Sequence, residues 1–265
     1  MSGAKTIAAF VVRFFGFHRG KPTTRIGKYA RHSERAASIA ALIYLGLAFF
    51  PQVLFAYNVN ANGVTVYSRT PLPPETTARI DKAMELVSQS ELAVSGRRER
   101  IFVCNNAWLF RLFAPVSPKS FAISWPVSDN VFIADADLAE NLCQSSAPDH
   151  NRRSFSSVAA HEITHGLIRH RLGLIRGSSL SAWVAEGYCD YVARESSFPE
   201  DEGLRNLREG KEDASTSFSY FVYRQMVRHL IEDRHLSFEE IAKRAGDSAA
   251  IKAETVAAVK EARQP

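Results

Sequence analysis

From residue 36 to residue 57 the chain reads AASIAALIYLGLAFFPQVLFAY, 22 positions without a charge, and the next charge is Arg69. At about 1.5 Å per residue a helix of that length spans roughly 33 Å, which matches the hydrocarbon core of a bilayer. Beyond it the apolar positions recur at short periods instead. GVTVYS (63–68) and RIFVC (100–104) are rich in β-branched and aromatic residues and predict strands. Between them PLPP (71–74) ends the first strand, and Ile80, Met84 and Val87 share one face of a helix over about 75–89. AWLFRLFAP (107–115) is apolar and ambiguous, while FAIS (121–124) and VFIAD (131–135) are short strand-like runs around the turn-rich WPVSDN.

After Ser154 the pattern turns helical, near 155–170, 180–196, 215–233, 237–245 and 248–262, with SFEE (237–240) as a capping box. The charged runs QSSAPDHNRR (144–153) and RNLREGKED (205–213) read as solvated loops that could flank a cleft. Strands and a helix followed by a helical half predict an α+β domain.

Charge sharpens the picture of the N-terminus. Residues 1–35 hold eight Lys/Arg and one acid, so the tail carries +7 and the remaining 230 residues carry −2 of the total +5. No nucleic-acid footprint is left outside the tail. A basic tail (1–35), a transmembrane anchor (36–57) and a domain (58–265) outside the membrane follow from the positive-inside rule. A cleaved signal sequence and a core helix are the competing readings, although 35 residues is a long leader. The run IAAFVVRFFGF (7–17) is too short to span and is expected on the membrane surface. Of three cysteines, Cys104 and Cys143 are the pair that could join in an oxidising compartment; three small buried thiols are the other reading.

The candidate chemistry begins in HEITH. His161 and His165 are four residues apart, about 400° of helical rotation, so both imidazoles project from one face and can meet one zinc ion. Glu162 stands on the neighbouring stripe, placed to reach a water rather than the metal. A catalytic zinc takes a third protein ligand, and WVAEGYCDY supplies Glu186, with Asp190 four residues later on the same face. Asp190 suits the carboxylate that receives the second N–H of a ligand histidine. A solvated acidic face is the plainer reading of that pair. His170, His229 and His235 are not at ligand spacing and read as surface histidines.

HEITH, with the Glu186 of WVAEGYCDY following His165 after 20 intervening residues, resembles the gluzincin metallopeptidases, the thermolysin and aminopeptidase superfamily. The resemblance covers roughly residues 120–245, and the first hundred residues match no family. It implies a zincin-like fold, with zinc held by His161, His165 and Glu186, Glu162 as general base and Asp190 orienting a ligand histidine. It also implies FAIS as the edge strand that holds an extended peptide, with VFIAD its neighbour. The oxyanion donor in such enzymes is a Tyr or His on a later helix; Tyr220 fits by register, Tyr223 is the alternative, and both are also readable as core tyrosines. The glycine that the family places in this helix is absent. Small bacterial membrane-anchored members resemble this chain most, implying a single-pass protein of the inner (plasma) membrane with its domain facing the periplasm or outside. The expected activity is zinc-dependent hydrolysis of a peptide or protein substrate. The rival expectation is a membrane-anchored, zinc-organised module that binds a partner without cutting it, which has no need of Glu162.

Overall fold

A computed structural model describes residues 25–262 of the chain, which divides into two compact units, residues 1–53 and 54–265. The run 7–17 and the basic tail up to residue 24 lie outside the described residues.

The first unit contains α1 (Arg25–Phe49), charged in its first half and apolar from Ala36 onward. The apolar part is about 21 Å long, less than a bilayer core. The helix stops before Pro51, which lacks an N–H and disfavours helical backbone in the residue preceding it. The uncharged run 36–57 is thus shared among α1, a 3-10 turn at Pro51–Leu54 and the first residue of β1 (Tyr57–Ala61). Among the described residues no helix is long and apolar enough to cross a membrane. Ile39, Leu42 and Ile43 of α1 are each more than half exposed.

The second unit is α+β. Its larger sheet has the order β1, β2 (Val64–Ser68), β3 (Glu99–Val103), β5 (Val131–Ile133) and β4 (Ala122–Ser124). The β2/β3 and β3/β5 pairs are parallel, and both outer pairs are antiparallel. Alternation along β3 feeds two cores: Ile101 and Val103 join the main one, while Phe102 points into a second with Phe132 of β5. The second core is closed by Phe110 and Phe113 of α3 (Ala107–Phe113), so the ambiguous apolar run is a helix capped by Asn106. The main core is covered by α2 (Thr76–Ser88) and α4 (Phe155–Leu172), and β4 is the outer strand beside α4.

The rest of the unit is helical: α5 (Leu174–Ser178), α6 (Ala182–Ala193), α7 (Glu200–Glu209), α8 (Thr216–Glu232), α9 (Phe238–Lys243) and α10 (Ser248–Glu261). The capping box forms between Ser237 and Glu240 as expected. Half of the run expected as a loop at 205–213 is instead the end of α7, whose first turn holds Glu200, Asp201 and Glu202, well placed against the helix dipole. A second, three-stranded antiparallel sheet, β6 (Asp135–Asp137), β7 (Leu142–Gln144) and β8 (Arg152–Ser154), leads into α4. Cys104, Cys143 and Cys189 are all free and buried, which is the reading of three small buried thiols and not the alternative of a Cys104–Cys143 bond.

Candidate metal centre

Helix α4 is central. Ser154 caps it by accepting from the Ser157 N–H, and 14 of its 18 residues are buried, so its polar groups are enclosed rather than set on a solvated face. Helix α6 crosses it, and α8 packs closely on α6 because Gly187 has no side chain: a Cβ there would lie 2.5 Å from the Tyr223 carbonyl oxygen. That approach brings the start of α8 to a cavity of about 730 Å³ lined by His161, Glu162, His165, Glu186 and Tyr220.

Inside this cavity His161 Nε2 and His165 Nε2 stand 3.2 Å apart. Glu186 Oε2 lies 3.2 Å from the first and 3.6 Å from the second. A tetrahedral ion with bonds of about 2.0–2.1 Å separates its ligand atoms by roughly 3.3–3.5 Å, so the three donors form one face of such a tetrahedron. Asp190, fully buried, has its Oδ1 2.7 Å from His161 Nδ1. The carboxylate accepts, which puts the proton on Nδ1 and turns the Nε2 lone pair toward the other donors. The same Oδ1 is 2.9 Å from Arg153 Nη1.

The electrostatics fit a site that lacks a positive charge of its own. Burial opposes charging His161, but Asp190 and Glu186 outweigh it and push its pKa up to about 10. Burial likewise opposes ionising Glu186, yet His165 and His161 hold it well below the usual carboxylate range. A proton or a divalent cation can satisfy this demand, and the two compete. Glu162 is raised above its ordinary value by burial and by Glu186, against the pull of His161 and His165. Tyr220 is raised by burial and by Glu186, Asp190 and Glu162, so it stays a neutral phenol able to donate.

Cys189 offers another donor near the two histidines, and the group His161, His165 and Cys189 could hold a metal ion. Glu186 is the better third ligand. It lines the cavity, whereas Cys189 is fully buried outside the lining.

The residues singled out from the sequence are therefore brought together: His161, Glu162, His165, Glu186 and Tyr220 share one cavity, with Asp190 behind His161. Tyr223 packs against the core and does not line the cavity. His170 and His235 are exposed as expected, but His229 is buried, with Nδ1 2.7 Å from Asp233 Oδ2. The run 144–153, expected as a solvated loop, has its ends in β7 and β8 with Arg153 buried, and it flanks the cavity through Ser145, Ala147, His150 and Arg153. Two participants escaped sequence reasoning. Arg153 has no local motif around it. Arg169 does have a signal, being four residues past His165 on the same stripe of α4. It donates to Ser124 Oγ of β4 at 2.5 Å and to Asp129 Oδ1 at 2.8 Å, tying the outer strand to the helix.

No protein-family model, no curated protein and no solved structure matches this chain.

Proposed function

We propose that the protein is a zinc-dependent peptidase tethered to a membrane, of the gluzincin type that its motifs resemble. The observation that carries the reading is the triangle of donors from His161, His165 and Glu186 with a buried carboxylate, Glu162, facing the same cavity. Bound zinc would supply Lewis acidity and make a water nucleophilic near neutral pH. Glu162 accepts a proton from the attacking water and returns it to the leaving amine; its raised pKa suits both transfers. Tyr220 donates its hydroxyl to the carbonyl oxygen as charge develops there. Among the described residues strand β4 pairs with β5 alone, so its other edge is available to an extended peptide beside α4. Asp190 fixes the tautomer and orientation of His161.

The tether is supported by the basic tail and by the apolar, exposed side chains of α1. Because Glu162 faces the donors from inside the cavity, where a purely binding module has no use for a buried carboxylate, hydrolysis is favoured over binding alone. The test is Glu162→Gln in the full chain with peptide cleavage and zinc content measured together. Cleavage falls about 10²- to 10⁴-fold while zinc stays bound; unchanged cleavage removes Glu162 from the mechanism. A zinc-loaded wild-type chain that cuts no member of a broad peptide library returns the site to the binding reading.

A further inference from the structure

We infer that Arg153 is a positioning residue of the metal centre, acting on His161 through Asp190; this rests on the metal-binding part of the proposal above and not on peptidase activity. One oxygen of Asp190, Oδ1, accepts both from His161 Nδ1 at 2.7 Å and from Arg153 Nη1 at 2.9 Å. The guanidinium makes two more contacts through Nη2, with Ser157 Oγ at 3.0 Å and the Glu195 carbonyl at 2.8 Å. Ser157 belongs to the first turn of α4, and Glu195 lies just beyond the end of α6. A single side chain, only 7 % exposed, therefore holds the helix bearing both histidines to the helix bearing Glu186. The carboxylate of Glu195 strengthens the same junction by accepting from Ser154 Oγ at 2.5 Å and from the Ser154 N–H at 3.0 Å.

The planar fork of arginine suits this task, because its donors reach three acceptors in fixed relative directions. Asp190 is wholly enclosed, and without Arg153 its only remaining hydrogen-bond partner among the described residues is His161. A buried carboxylate so weakly held is free to reorient, and the imidazole it orients goes with it. Arg153 also cancels one of the three carboxylate charges grouped here, leaving those of Glu162 and Glu186 for a divalent ion.

The experiment is a thermodynamic cycle on the full chain, with zinc affinity read by competition against a chromogenic chelator and ligand geometry read from the visible spectrum of the cobalt form. Arg153→Met and Asp190→Asn each weaken zinc binding about 10- to 100-fold, the range for groups that support a ligand histidine. The double variant loses little more than the worse single one, because both act through one bond. Arg153→Lys recovers part of the affinity, and the cobalt spectrum of Arg153→Met shifts. Losses that multiply in the double variant, or wild-type affinity with an unshifted spectrum in Arg153→Met, overturn the inference. Should Arg153→Met not fold, Arg153→Lys carries the test: intermediate affinity supports the inference and unchanged affinity overturns it. A wild-type chain that binds no zinc overturns this inference and the metal reading together, whereas zinc binding without cleavage leaves the inference standing and removes only the peptidase.

Discussion

Helix α4 carries two groups of charges, one at its C-terminal end and one at its middle. At the end, Arg169 and Arg97 close on Asp129 and Glu99, two cations against two carboxylates, with Arg97 laid across the backbone of Gly166 where a Cβ would lie 2.8 Å from its Nη2. At the middle, three carboxylates, Glu162, Glu186 and Asp190, have one hydrogen-bonded permanent cation among the described residues, Arg153 on Asp190, with Arg169 acting on Glu162 through charge alone and the imidazoles of His161 and His165 turned to one another. The first group pairs its charges one for one; in the second the carboxylates outnumber the hydrogen-bonded arginines, and His161 takes up a proton in compensation. Buried carboxylates in excess cost folding energy unless paired or bound to a metal. A bound cation would relieve such an excess.

Substitutions at the end and at the middle of α4 separate a structural role from a functional one. Arg169→Met breaks the self-contained group and costs about 2 kcal/mol of stability, since charged hydrogen bonds are lost and Asp129 keeps only Arg97. Chemical denaturation measures that loss, while zinc affinity of the folded variant stays within about threefold of wild type, because Arg169 hydrogen-bonds Ser124 and Asp129 and none of the three donors. An equally large loss of zinc affinity would merge the two groups into one.

A smaller effect of opposite sign is expected at the middle. The pKa of Glu162 is raised in the folded chain, so its ionised form is disfavoured there, and at pH values above the ordinary glutamate range the carboxylate costs folding energy. In zinc-free protein, Glu162→Gln raises Tm by a few degrees at pH 7, and the gain fades as the pH is lowered through that range. Calorimetry at the two pH values reads this directly. A variant less stable than wild type at both would mean that Glu162 serves the fold instead. The smallest effect belongs to Cys189: Cys189→Ser leaves zinc affinity within about threefold, and the cobalt form of the wild type shows no sulfur-to-metal charge-transfer band. Such a band would give Cys189 the place assigned to Glu186.

The contrast also marks what could be read from the amino-acid order. His161 with His165, and Glu186 with Asp190, are pairs four apart within single helices, and that spacing fixes the face on which they lie whatever the fold does. The α+β division and the positions of β2, β3, β4, β5 and the major helices followed from the same periodicities. What escaped has long-range causes. The three-residue strands β6, β7 and β8 are mostly polar, so no apolar run marks them as it marks β4 and β5. The charge partners of Arg153 and Arg169 lie 37 and 40 residues away along the chain, as Asp190 and Asp129.

Zinc stoichiometry is the most direct probe of the centre. Metal analysis of the purified full-length protein, after dialysis against a weak chelator, should find one zinc per chain, and the same measurement on Glu186→Ala should find almost none. A wild-type preparation that retains no zinc, or a Glu186→Ala preparation that retains as much as wild type, would contradict the idea that these three donors are gathered around one ion.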